Sequence, residues 1–232
     1  MKCSLWRILV ITTLLACFAY AAVDNTLTLA EKKAGWKLLF NGKTLDGWQI
    51  TGNPNGWAVQ EGAIVNLARG GGNIATKEKF SNFILSFEVK LEKGANSGVW
   101  IRWSDLRDPV QNAIEVQILD SYGKKKPDKH DMGAIYDCQT PFREAYKPAG
   151  EWNKMVITCR DNLIWVDLNG KRITYMNLDR WTQPHQNPDG TSNKFDTAYK
   201  DMPRTGYIGF QDHGSKVWFK NIKIKPLPPL KR

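Results

Sequence analysis

Apolar and polar residues alternate along most of this chain with a period of two, the repeat of a strand that buries one face. The clearest run is Phe83 to Leu91, where Phe83, Leu85, Phe87, Val89 and Leu91 share one face. Similar runs cover Ser97–Trp103, Ile114–Asp120, Met155–Arg160, Leu163–Leu168, Arg172–Met176, Thr205–His213 and Val217–Ile224. Turn signals separate them: Asn41-Gly42, Glu61-Gly62, Asp161-Asn162 and Asn169-Gly170, residues that accept the tight backbone of a hairpin. Helical character is weak and confined to Asp24–Lys33 and Lys194–Lys200. Many short strands with such turns predict an all-β fold, a two-sheet antiparallel jelly-roll sandwich.

Two strands in the middle carry the functional signal. In Ile114–Asp120, Glu115, Gln117 and Leu119 share one face and Val116 and Ile118 the other. In Ser97–Trp103, regular alternation puts Trp100 and Arg102 together, opposed to Val99, Ile101 and Trp103. One face packs on a core; the other offers a carboxylate, an amide, a guanidinium and an indole as the floor of a ligand groove. The alternative is a cross-strand ion pair of Glu115 with Arg102 on a solvated face. Late in the chain, Gln211 and His213 fall on one face, with Phe210 and Asp212 on the other.

The first residues change the picture of where the protein works. Lys2 and Arg7 precede an apolar run, Ile8–Ala16, and Ala19-Tyr20-Ala21 has the form of a signal-peptidase site. The run is too short for a transmembrane helix. Residues 1–21 therefore read as a signal peptide and 22–232 as a single β-sandwich domain of an exported, periplasmic or secreted protein. A lipoprotein anchored at Cys17 is the alternative. Past the leader only Cys138 and Cys159 remain; they pair in an oxidising compartment or stay as buried thiols, and zinc-site spacing is lacking. The formal charge of +10 is spread out, with one local run at Lys124-Lys125-Lys126, and no nucleic-acid motif accompanies it.

Glu115, Gln117, Arg102, Gln211 and His213 together suit recognition of hydroxyl groups. Trp48, Trp57, Trp100 and Trp181 could stack on sugar rings, although for any one of them the core is the better expectation. His130 and His185 lie in loops and read as solvent-exposed bystanders. Retaining glycosidases need two carboxyl groups about 5–5.5 Å apart. The strand here runs Glu115, Gln117, Leu119, so the second acid is missing.

The segments GWKLLFNGKTLDGW, ANSGVWIR, EVQILD, GAIYD, EWN, LNG and GYIGFQDHGSKVWFKNIKI, in that order, resemble the 3-keto-disaccharide hydrolase domain family, related to concanavalin A-like lectins and glucanases. The likeness runs from Ala34 to Pro226. It implies a carbohydrate substrate with a ketone at C3 and accounts for the missing acid. The ketone acidifies the C2 proton; a base removes it, and the resulting enolate expels the C1 oxygen, with or without rehydration. On this reading Glu115 and His213 serve as base and acid, and Arg102 and Gln117 polarise the ketone. Asn96, Trp100, Gln117, Gln211, Trp48 and Asp120 bind substrate. No cofactor is required by the sequence; a divalent cation held by Glu115 and His213 is the alternative. A non-catalytic carbohydrate-binding module is the competing function.

Overall fold

A computed structural model of the chain describes residues 23–230. The expected signal peptide and the lipoprotein alternative at Cys17 lie outside the described residues. Among the described residues thirteen strands form two antiparallel sheets, as the alternation predicts. They are β1 (Lys37–Leu38), β2 (Trp48–Ile50), β3 (Trp57–Gln60), β4 (Ala63–Leu67), β5 (Ile74–Thr76), β6 (Phe83–Leu91) and β7 (Asn96–Trp103). Then come β8 (Ile114–Leu119), β9 (Asn153–Arg160), β10 (Leu163–Leu168), β11 (Lys171–Asn177), β12 (Tyr207–Phe210) and β13 (Lys216–Pro226). Helix is limited to short pieces, chiefly α1 (Leu29–Lys33), closed by a Thr28–Glu31 capping box, and α2 (Pro109–Asn112). No helix among the described residues is long and apolar enough to cross a membrane.

The larger sheet has the order β11-β10-β9-β6-β13-β4-β3, with β1 added to β13; the smaller runs β2-β5-β12-β7-β8. Their facing sides meet in one core of Phe83, Leu85, Phe87 and Val89 from β6, Val99 and Ile101 from β7, Val116 and Ile118 from β8, and Phe210 and Phe219. Phe210 and Phe219 stack at 3.9 Å between ring centroids, and Trp48 stacks on Phe210 at 5.5 Å. Trp48 also donates its indole N–H to the Leu39 carbonyl (2.7 Å), and Trp57 to that of Gly72 (2.8 Å). Both tryptophans are core residues, which removes Trp48 from the substrate-binding set. Cys138 and Cys159 are free, buried thiols; burial pushes them to about 12 and about 11.

Two local expectations fail for backbone reasons. The helical patch at Lys194–Lys200 is absent except for a single 3-10 turn, Tyr199–Asp201, because side chains of other segments hold the main chain at Lys194 and Asp196. The second failure is at Arg102, where φ is +52°. There two residues of β7, Ile101 and Arg102, oppose the single Ile208 of β12, a β-bulge. The bulge reverses the alternation, so Trp103 joins Trp100 in a cluster with Ala75 and Ala113 on the outer face of the smaller sheet.

Candidate active site on the smaller sheet

Glu115 sits on β8 opposite Trp100 of β7, and Gln117 opposite Gly98. Gln211, just past the end of β12, donates its main-chain N–H to the Gly98 carbonyl (2.9 Å). These strands bring Glu115, Gln117, Asn96, Trp100 and Gln211 to one outer face, which for Glu115, Gln117 and Trp100 the alternation predicts. Gly98 supplies the room. A Cβ placed on it would lie 2.3 Å from Glu115 Oε1, so the carboxyl occupies the space that any other residue's side chain would claim.

Glu115 is buried, only 5% exposed. Burial raises its pKa to about 7, against the opposing charge of Lys194 and a hydrogen bond from Gln211. With its nitrogen toward Glu115, the Gln117 carboxamide donates to Oε1 (3.2 Å) and to the Ser97 carbonyl (3.2 Å). Its other end faces the Asn96 carboxamide at 3.0 Å. The Trp100 Nε1 and the Gln211 Oε1 are buried without a partner. A donor and an acceptor left open beside one carboxyl are complementary to a hydroxyl-bearing ligand, since orphaned buried polar atoms are costly.

Arg102 lies elsewhere. The bulge turns its side chain off the Glu115 face, and the guanidinium donates to the Ser81 carbonyl (3.3 Å) and Asn82 Oδ1 (3.3 Å). Asp120 caps a turn: its carboxylate accepts the Gly94 N–H (2.8 Å). Strand β12 stops at Phe210, so the alternation that would align His213 with Gln211 does not continue. Asp212 ends it, accepting from Asn66 Nδ2 (2.9 Å) and from the main chains of Gly71 (2.6 Å) and Gly214 (3.0 Å). His213 is exposed on the resulting bend. Among the described residues no three His, Cys, Asp or Glu side chains converge as a metal site.

Sequence reasoning missed Tyr136 and Lys194. The Tyr136 N–H donates to the Glu115 carbonyl (3.0 Å), which places the 131–139 loop against β8. Burial, then the charges of Glu115 and Asp137, push the phenol pKa up. Lys194 holds its ammonium 4.2 Å from the centre of the Tyr136 ring. His130, expected to be a bystander, packs edge-on against Tyr136 (4.8 Å) with Nε2 3.2 Å from Asp137 Oδ1. The GAIYD segment was the available signal for Tyr136; Lys194, in an irregular loop 79 positions after Glu115, gave none. Surface hollows occur away from Glu115. One of about 510 Å³ is lined by Asn82, Asp179 and Arg204, and one of about 380 Å³ by Glu31, Glu88 and Lys223. Each has charges held in an ion pair, Arg204–Asp179 (3.7 Å) and Lys223–Glu31.

Two antiparallel sheets over one core, with a polar cluster on the outer face of the smaller, define a galectin- and concanavalin-like β-sandwich. A Bacillus subtilis protein of unknown function with a galectin-like fold superposes with a TM-score of 0.51 at 13% identity, covering 80% of this chain and 91% of its own. The chain belongs to the 3-keto-alpha-glucoside-1,2-lyase-like domain family, which it matches over residues 35–225. It is 29% identical to a 3-keto-disaccharide hydrolase of Bacteroides thetaiotaomicron, over 89% of this chain and 83% of that protein. A candidate glycosyl hydrolase structure from Parabacteroides distasonis is 36% identical, with a TM-score of 0.75, covering 83% of this chain and 99% of its own.

Proposed function

We propose that the chain is a glycosidase-type enzyme that cleaves 3-keto-glycosides, with Glu115 as the group that moves the proton. The observation that carries this reading is a single buried carboxyl with a pKa of about 7 on a strand that offers Gln117, not a second acid, on the same face. The usual oxocarbenium route of glycosidases uses two carboxyl groups. A ketone at C3 needs one base near neutrality, because it acidifies the C2 proton itself. Family membership and the name of the Bacteroides relative point to the same substrate class.

The steps balance without a redox partner. Glu115 takes the C2 proton, and the C–H electron pair passes through C2 to the C3 oxygen. As the carbonyl re-forms, a C1–C2 double bond forms and the C1–O bond breaks. The departing oxygen takes a proton from protonated Glu115 or from His213 on the exposed bend. Water then adds, oxygen to C1 and hydrogen to C2, if the outcome is hydrolysis. Gln117, Gln211, Asn96 and Trp100 orient hydroxyls.

The test is release of a chromogenic leaving group from a 3-keto-glucoside by wild type, Glu115→Gln and His213→Ala, each with and without chelator. Glu115→Gln should lose roughly 10²–10⁴-fold in kcat/KM, the usual worth of a general base. Equal loss in His213→Ala assigns it the leaving-group proton; loss on chelation moves a divalent cation into the scheme. A well-folded wild type that binds disaccharides but releases nothing is a carbohydrate-binding module instead.

A further inference from the structure

We propose that Lys194 is the electrophile of this site, the ammonium that holds the substrate's ketone oxygen as it becomes an enolate. The inference rests on the reading of Glu115 given above and fills the place that Arg102 vacates.

The loop around Lys194 is fixed at its main chain. The Lys194 N–H donates to Asp137 Oδ2 (2.9 Å), and the Lys194 carbonyl accepts from Gln111 Nε2 (3.1 Å). The other end of the Gln111 amide accepts the Asp196 N–H (2.9 Å). Three segments, 104–112, 131–139 and 183–197, thus meet at one lysine. Its side chain is treated differently. The ammonium rests over the Tyr136 ring at 4.2 Å, with the Phe195 ring at 5.9 Å, and it forms no ion pair among the described residues. Its neighbours are paired: Lys129 lies 3.6 Å from Asp137 Oδ1, and His130 lies 3.2 Å from the same oxygen. Asp137 therefore spends its charge on Lys129, His130 and the Lys194 main chain.

A lysine pinned at its backbone, steered by an aromatic face and left with three unused N–H groups is suited to an anionic oxygen. Its charge reaches Glu115, where it opposes the effect of burial. Tyr136 joins the two groups, its ring under the ammonium and its N–H on the Glu115 carbonyl; proton removal beside a carbonyl asks that the base take the C2 proton while a cation meets the charge that arrives on the C3 oxygen. The charged and titratable groups around the pair include Tyr136, Asp137, His130, Lys129 and the buried Tyr199 and Cys138. The Tyr136 phenol, with its raised pKa, stays protonated and can donate to the same oxygen.

Lys194→Met and Lys194→Arg test this with two readouts: turnover of the chromogenic 3-keto-glucoside and the titration of Glu115 followed by carboxyl NMR. Lys194→Met should lose about 10²–10³-fold in kcat/KM, the worth of one donor to a developing oxyanion, and should titrate Glu115 at higher pH than wild type. Lys194→Arg should recover part of the rate and keep the wild-type titration. Turnover within twofold of wild type in Lys194→Met overturns the proposal, as does a Glu115 titration that does not move. If wild type itself releases nothing while the titration still moves, the reaction reading has failed and the enolate role fails with it, although the Lys194–Glu115 coupling is real.

Discussion

At the scale of single residues, the site depends on a missing side chain as much as on those present. Glu115 Oε1 lies where a Cβ on Gly98 would come within 2.3 Å, and the backbone of Gly98 is not in the left-handed region. Alanine there strains no dihedral; it displaces the flexible end of Glu115. Gly98→Ala should therefore cut turnover of a 3-keto-glucoside at least tenfold while stability, read by urea unfolding, changes by no more than about 1 kcal/mol. Unchanged turnover would show that the carboxyl is not used where it lies. Alternation alone placed Glu115, Gln117 and Trp100 together, and the structure agrees. It misplaced Arg102 because one positive φ turns the strand over, and a bulge leaves no mark in a pattern of two. The partner that accommodates it is Gly206, where a Cβ would lie 2.2 Å from the Arg102 carbonyl carbon.

At the scale of elements, strand ends decide what loops can do. Strand β12 ends because the Asp212 carboxylate collects one side-chain and two main-chain N–H groups, and its own N–H donates to Asn73 Oδ1 (3.0 Å). This clamp joins the glycine-rich 70–73 segment to the bend that carries His213. Asp212→Ala should lower the urea midpoint by an amount equivalent to about 2 kcal/mol, the order of hydrogen bonds to a charged group, with the slope unchanged. A variant as stable as wild type would mean the clamp is ornamental. The hairpin of β3 and β4 was legible from Gly62, a residue type suited to the positive φ it adopts there. The 183–197 loop was not legible: its order comes from Asp137 and Gln111, contacts of long sequence separation that no local pattern encodes.

At the scale of the whole molecule, sheet order and core followed from alternation and turns, because both sheets bury one face on a shared set of aromatic and branched residues. Folding also sets the proton affinity of Glu115, and that couples the site to global stability. The carboxyl titrates at about 7 in the fold against 4.5 when unperturbed. Between those values the folded chain keeps a proton that the unfolded chain releases. The site's contribution to stability is therefore complete below about pH 4.5 and is lost as pH rises through 7, by roughly 3 kcal/mol. Glu115→Gln should be free of that loss, so the stability of the variant relative to wild type should grow from pH 5 to pH 8; parallel curves would contradict the assigned burial effect. The same feature bears on catalysis. With its pKa raised to about 7, Glu115 is poised near neutrality both to receive a proton and to give one. On the proposed elimination, a single carboxyl so poised is its own buffer: the hydrogen lifted from carbon is the one returned to the departing oxygen, and the elimination closes on one residue.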